Sequence, residues 1–192
     1  MKELVHTGDV LRSVSGCFSG TLGFLCAELQ DGASLASAIE KARALGFTEP
    51  DPREDLSGRD VARKALIIAR AMGRKMEPAD VTLEPMVLGL EAGLEPAVAE
   101  HGPALEARFA ELLKRGETLR YVAEITEDSV TVGPRAVPLD GPIGSLSGPD
   151  NVLVFRTRRY DQHPLVIRGP GAGAEVTAAG VLGDLLRIAL SR

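Results

Sequence analysis

The sequence predicts an α+β domain in which helices pack on one mostly antiparallel sheet. Three observations carry this. Helical periodicity dominates as far as Arg115, and strand alternation takes over from Thr118. The strands are not separated by crossover helices, so the βαβ alternation of a parallel doubly wound sheet is missing. With 192 residues, 44 % of them hydrophobic, one core of ordinary size is within reach. No Trp, two Tyr and five Phe make that core aliphatic.

The elements follow in order. Residues 9–18 read as a short strand leading to Ser19, which is placed to cap a helix over 20–29. Asp31 and Gly32 end it. Ser34 caps a second helix, 35–45, with Leu35, Ile39, Ala42 and Leu45 on one stripe and Gly46 as its stop. FTEPDPREDLSG, residues 47–58, holds two prolines and no apolar period, so it reads as a loop. Ser57 opens a helix over 58–72 with Val61, Ala65, Ile68 and Met72 inward and Gly73 after it. Between 75 and 100, Pro78, Pro85, Gly89, Gly93 and Pro96 break the chain into short extended pieces and turns. Pro103 starts a helix to about Arg115, with Leu105, Phe109 and Leu112 inward. LRYVAEI then alternates, placing Leu119, Tyr121, Ala123 and Ile125 on one side. Strands are expected at 118–126, 129–138, 151–158 and 164–168, with helices 20–30, 35–45 and 58–72 covering one face. Glycine-rich GPGAGAEV introduces a last helix, 177–191.

Charge and composition exclude some classes. A net charge of −5 and a pI near 5.3 lack the basic stripe that nonspecific nucleic-acid binding needs. No apolar run reaches the roughly 18 residues of a membrane span, and MKELVHTGDV carries no signal-peptide core. A soluble, cytoplasmic chain is expected. Cys17 and Cys26 are not spaced as CxxC, and in such a chain a disulfide is not expected. His6, His101 and His163 are not at ligand spacing, so no metal site is expected.

Chemistry concentrates in two places. Glu49, Asp51, Glu54 and Asp55 crowd loop 47–58 against Arg53 alone. Such a loop is either solvated or a pocket for an ammonium group or metal ion. In the next helix Asp60 and Lys64 stand at i and i+4, so they share one face. They flank the apolar stripe, which leaves room for partial burial. A lysine held by an aspartate is a candidate proton donor and acceptor; the alternative is a surface ion pair. The glycines of GPGAGAEV do not make the GxGxxG fingerprint, and no βαβ unit surrounds them.

Four segments together resemble the homoserine dehydrogenase family. GFTEPDPREDLSGRDVARKALIIAR (46–70) resembles that family's long motif, and SGCFSGTLGFL (15–25) its strand-to-helix entry into the substrate domain. RGPGAGAEVTAAGVLGDLL (168–186) resembles its C-terminal helix and preceding loop; LRYVAEI (119–125) matches the bifunctional aspartokinase–homoserine dehydrogenase form. The resemblance implies NADP- or NAD-dependent interconversion of L-aspartate 4-semialdehyde and L-homoserine, in a homodimer. It implies that Lys64 is the catalytic lysine, oriented by Asp60. Glu49 and Asp55 would bind the substrate, its ammonium in particular, and Gly173 would lie against the cofactor. Phe47 stands where the family commonly has Tyr, so a hydroxyl contact is lost there while ring packing remains.

The family also implies a Rossmann domain ahead of this segment, with the GxGxxG loop, a second substrate-contacting lysine and a monovalent-cation site. None of these is in the sequence. Residues 1–192 are therefore expected to be the substrate-binding and dimerisation domain, inactive in isolation, with helix 177–191 packing on the nucleotide-binding domain. The competing expectation is a stand-alone amino-acid-binding or regulatory module.

Overall fold

A computed structural model describes residues 2–190. Strand β1 (Leu11–Cys17) sits centrally, antiparallel to β3 (Glu117–Ile125) on one side and β5 (Asn151–Thr157) on the other. β4 (Val130–Pro138) extends the sheet beyond β3, and β6 (Leu165–Gly169) beyond β5, both antiparallel. A short β2 (Val81–Leu83) lies parallel on the outer side of β4. The order is β2-β4-β3-β1-β5-β6. The expected mostly antiparallel sheet is therefore present, with the four later strands each within one residue of their expected ends.

The helical side follows from capping and burial. A short α1 (Lys2–His6) precedes β1. Ser19 caps α2 (Gly20–Gln30), accepting from the Leu22 amide at 3.3 Å, and Ser34 caps α3 (Leu35–Ala44), accepting from Ser37 at 3.2 Å. α4 (Pro52–Leu56) leads directly into α5 (Arg59–Ala71); α6 spans Leu94–Leu113 and α7 spans Ala174–Leu190. α2, α5 and α6 pack on β3, and α5 also on β4. Leu22, Leu25, Val61, Ala65 and Phe109 meet Val14, Leu119, Ala123 and Ile125 there, all almost wholly buried. Each such large aliphatic contributes about 1.5–3 kcal/mol relative to exposure. α3 packs chiefly on α2 and α6, so α6 takes the place on the sheet that had been expected for 35–45.

Several expectations need correction. Residues 47–58 are not all loop, because Pro52 sits at the first position of α4 and Asp51 caps it, a favourable pairing at a helix start. α5 is capped by Gly58 in the left-handed conformation, not by Ser57. Its buried residues are Val61, Ala65, Leu66 and Ala69, and the expected Ile68 and Met72 pack partly buried against the same core, so the apolar face is wider than the stripe read from sequence. α6 starts at Leu94, not at Pro103, which lies inside it. Pro96, in the first turn where no amide partner is needed, was the true start signal. The expected end of the last helix at residue 191 lies outside the described residues.

β3 is also buried on both faces, not on one. Arg120 is 2 % exposed. Its guanidinium donates to Gln30 Oε1 (2.7 Å), Gly144 O (2.8 Å), Leu146 O (2.9 Å), Thr118 Oγ1 and Leu119 O (3.0 Å each). These bonds hold segment 139–150 against the second face, where Cys17, Val122, Leu146, Val152 and Val154 cluster. Burial lowers the Arg120 pKa from its usual value and raises both thiols, Cys26 to about 11. Cys17 and Cys26 are free and buried. Among the described residues no helix is long and apolar enough to cross a membrane.

Candidate active site

Five separate segments meet at a cleft of about 490 Å³. Its floor is the N-terminus of α2, with Phe18–Thr21. Its walls are 46–49, the α4–α5 pair with Asp55, Asp60 and Lys64, the start of β5 at Pro149–Asn151, and the glycine loop 170–173. The cleft therefore gathers Lys64, Asp60, Glu49, Asp55, Phe47 and Gly173, all six expected site residues.

The α4–α5 corner sets this geometry. Gly58 follows the last turn of α4, its amide reaching Asp55 O at 3.1 Å, and its own carbonyl accepts from Ala62 in α5 at 3.0 Å. One glycine with φ +71° therefore ends one helix and begins the next. A side chain there would also overlap the Tyr121 hydroxyl, which donates to Glu84 O at 2.7 Å. The turn aims Asp60 and Lys64 at the floor. Lys64 Nζ lies 2.7 Å from Asp60 Oδ2 and donates to Phe18 O at 3.2 Å. Both side chains are more open than expected, Lys64 46 % and Asp60 60 % exposed, because they stand at the rim beside the buried stripe. In water such a pair contributes only about 0.3–0.5 kcal/mol. Its value lies in holding the ammonium still.

The acidic loop divides. Asp55 accepts from the Glu49 amide at 3.0 Å through Oδ2, and its Oδ1 is 3.0 Å from the Thr21 hydroxyl. That hydroxyl is also 2.5 Å from Phe47 O, and its single proton serves one acceptor at a time. Asp55 and Thr21 thus fasten 47–49 to α2. The Glu49 carboxylate, exposed, has no partner among the described residues. Phe47 keeps the ring packing expected of it, 4.9 Å from the Phe24 ring centroid. Asp51 and Glu54 turn instead to a second cleft of about 520 Å³, where Asp51 is paired with Arg53 at 2.6 Å. The hydrogen bond and charge of Arg53 hold the Asp51 carboxyl below its usual range. In that cleft Asp51 and Arg53 satisfy each other, whereas the 490 Å³ cleft keeps Glu49 free.

Among the other lining residues, three with polar side chains were not singled out from sequence: Thr21, Asp150 and Asn151. Thr21 follows Ser-Gly at a strand-to-helix junction, the one signal that could have marked it. Asp150 and Asn151 lie in a Gly/Pro/Ser-rich segment whose route over the sheet only tertiary structure reveals. Altogether four carboxylates and one ammonium line the cleft. This balance suits a small ligand that carries a positive charge and has a polar group within reach of Lys64.

Residues 1–186 match the model of the family described as homoserine dehydrogenase. Bifunctional aspartokinase/homoserine dehydrogenase 2 of Arabidopsis thaliana, chloroplastic, is 39 % identical over 198 residues, covering 98 % of this chain and 22 % of that protein. Homoserine dehydrogenase of Emericella nidulans is 37 % identical over 206 residues, 98 % of this chain and 56 % of that protein. The crystal structure of a Candida auris protein of unknown function superposes with a TM-score of 0.89 at 35 % identity, covering 98 % of this chain and 56 % of the other. The chain thus spans about a fifth to somewhat over half of the relatives it matches. By this match and by the motif that builds the cleft, the chain belongs to the homoserine dehydrogenase family.

Proposed function

We propose that this chain supplies the substrate-binding and proton-transfer wall of a homoserine dehydrogenase. The reaction is the NADP- or NAD-dependent interconversion of L-homoserine and L-aspartate 4-semialdehyde, in cytoplasmic threonine and methionine biosynthesis. One observation carries the reading: the unpartnered Glu49 carboxylate and the tethered Lys64 ammonium face one cleft, both supplied by segment 46–70.

Each residue has a task that its surroundings support. Glu49 grips the substrate's α-ammonium, and Asp55 and Thr21 hold its loop in place. The amides of Gly20 and Thr21 open α2, and among the described residues they make no hydrogen bond. They are placed to receive the α-carboxylate at the positive end of the helix. Lys64 uses one ammonium proton on Asp60 and one on Phe18 O. The third is left for the substrate oxygen. In the direction of reduction Lys64 gives that oxygen a proton; in oxidation it takes the hydroxyl proton back. Asp60 keeps the ammonium oriented.

The residues present fit the nicotinamide end of a dinucleotide. Gly173 has φ +122° and open space on its Cβ side, so a flat ring can approach its backbone closely. When bound, the dinucleotide supplies or accepts the hydride at the substrate carbon. No segment here carries the GxGxxG turn that cradles a pyrophosphate. We assign that task to a nucleotide-binding domain on which α7 packs, and we assign the sheet to a homodimer interface. The test is an absorbance assay with L-homoserine and NADP⁺ or NAD⁺. The protein joined to its nucleotide-binding domain turns over, and residues 1–192 alone do not, because near-attack geometry needs both walls. Absence of homoserine-dependent reduction by the joined protein overturns the reading.

A further inference from the structure

Asn151 opens β5 opposite Gly169 of β6, the strand that feeds the glycine loop. It stands on the helix side of the sheet, in register with Leu153 and Phe155, and lines the cleft. Its side-chain carbonyl Oδ1 is shut away from solvent without a hydrogen-bond partner, and it is the one side-chain atom in that condition among the described residues. Its amide packs so closely on Gly171 that a Cβ there would overlap both Nδ2 and Cγ. Meanwhile the backbone amides of Gly171, Ala172 and Gly173 donate no hydrogen bond among the described residues. An unpaired buried acceptor thus touches a loop of unpaired donors. Buried polar groups are almost always satisfied in a working state.

We propose that Asn151 is a positioning residue for the dehydrogenase reaction. When substrate and dinucleotide fill the cleft, Oδ1 accepts a backbone N–H from loop 171–173, and this latches the loop against the cleft wall. The proposal rests on the functional reading above. Its chemistry is local. A shift of a glycine-rich loop costs little steric strain. One amide turned inward to Asn151 fixes the peptide planes of its neighbours, whose amides then face the ligand. Gly171 is required because only a hydrogen leaves room for the Asn151 amide beneath the loop.

The test uses the protein joined to its nucleotide-binding domain, with L-homoserine and NADP⁺. Amide hydrogen exchange over 169–174 is followed with and without both ligands, alongside steady-state kinetics. In the wild type, ligands slow exchange in this loop. Asn151→Leu, of similar shape but without an acceptor, loses that protection and raises KM for the dinucleotide about tenfold, with a smaller change in kcat. Asn151→Asp keeps an acceptor in place and restores most of the protection. Exchange and KM in Asn151→Leu equal to wild type overturn the latch while leaving the dehydrogenase reading intact. Asn151→Asp behaving like Asn151→Leu also overturns it. A wild-type protein that turns over homoserine without protecting the loop does so too. Failure of the wild type to turn over homoserine overturns the functional reading itself, and the latch with it.

Discussion

At the scale of single residues, Gly58 controls the site without touching a ligand. It holds a left-handed conformation where α4 meets α5, and the Tyr121 hydroxyl occupies the space a side chain would need. Gly58→Ala adds the left-handed penalty, about 1–2 kcal/mol, to the cost of overpacking, about 1–3 kcal/mol. A loss of roughly 2–5 kcal/mol in a denaturant titration is expected. Asp9 makes a second residue-scale case. Its buried carboxylate accepts from the Thr157 hydroxyl at 2.7 Å and from the Val10 and Arg159 amides at 2.8 and 3.2 Å, tying the start of β1 to the end of β5. Burial pushes its pKa up, but these bonds and the Arg159 charge outweigh it and leave the net value below 3.8. A lowered carboxylate stabilises the fold fully above the unfolded value and loses that contribution as pH falls through the folded one. Wild type should therefore exceed Asp9→Asn in stability at neutral pH, with the difference vanishing well below pH 3.8. A difference that grows on acidification would contradict the assignment.

At the scale of elements, the legible features were those that local chemistry dictates. Ser19 and Ser34 announced their helices because a side chain accepting an amide two or three residues on is a local event. The later strands were legible because alternation and turn residues agree. Prolines were harder, since the same residue starts α4 at Pro52, fits the first turn of α6 at Pro96 and is tolerated inside α6 at Pro103. The burial of Arg120 was not legible, because an arginine in an alternating strand points to solvent unless distant carbonyls come to meet it. Here Gly144 and Leu146 do. In the site, Lys64, Asp60, Glu49 and Asp55 were legible from one motif, whereas Asn151 and Asp150 were not, because loop-to-loop proximity leaves no period in sequence. α7 illustrates the same limit from the other side. None of its residues is buried, and Val181, Leu182, Leu185 and Leu186 are each more than half exposed. On the proposal that α7 packs on the nucleotide-binding domain, Leu185→Glu leaves the melting temperature of residues 1–192 unchanged and lowers that of the joined protein. Equal melting curves for the joined pair would remove this role from α7.

At the scale of the whole molecule, one sheet organises two kinds of surface. Its helix-covered face carries the core and, at one end, the cleft; the ends of β5 and β6 deliver Asn151 and the glycine loop to that same end. The edge strand β6 exposes Val166 and Ile167 by 39 % and 55 %. An open apolar edge of this kind invites pairing with another chain, which agrees with the proposed homodimer. Sedimentation velocity at tens of micromolar should show a dimer, and a monomer there would contradict it.

The central claim is that Lys64 moves the proton and Glu49 holds the ammonium in one homoserine cleft. Steady-state kinetics of the joined protein and two variants tests it most directly. Lys64→Ala removes a group that acts in the transition state, so kcat falls by a factor of about 10²–10⁴. Glu49→Gln removes a binding charge present in ground and transition states alike, so KM for homoserine rises while kcat changes little. A Lys64→Ala variant with unchanged turnover, or a Glu49→Gln variant with unchanged KM, would contradict the account.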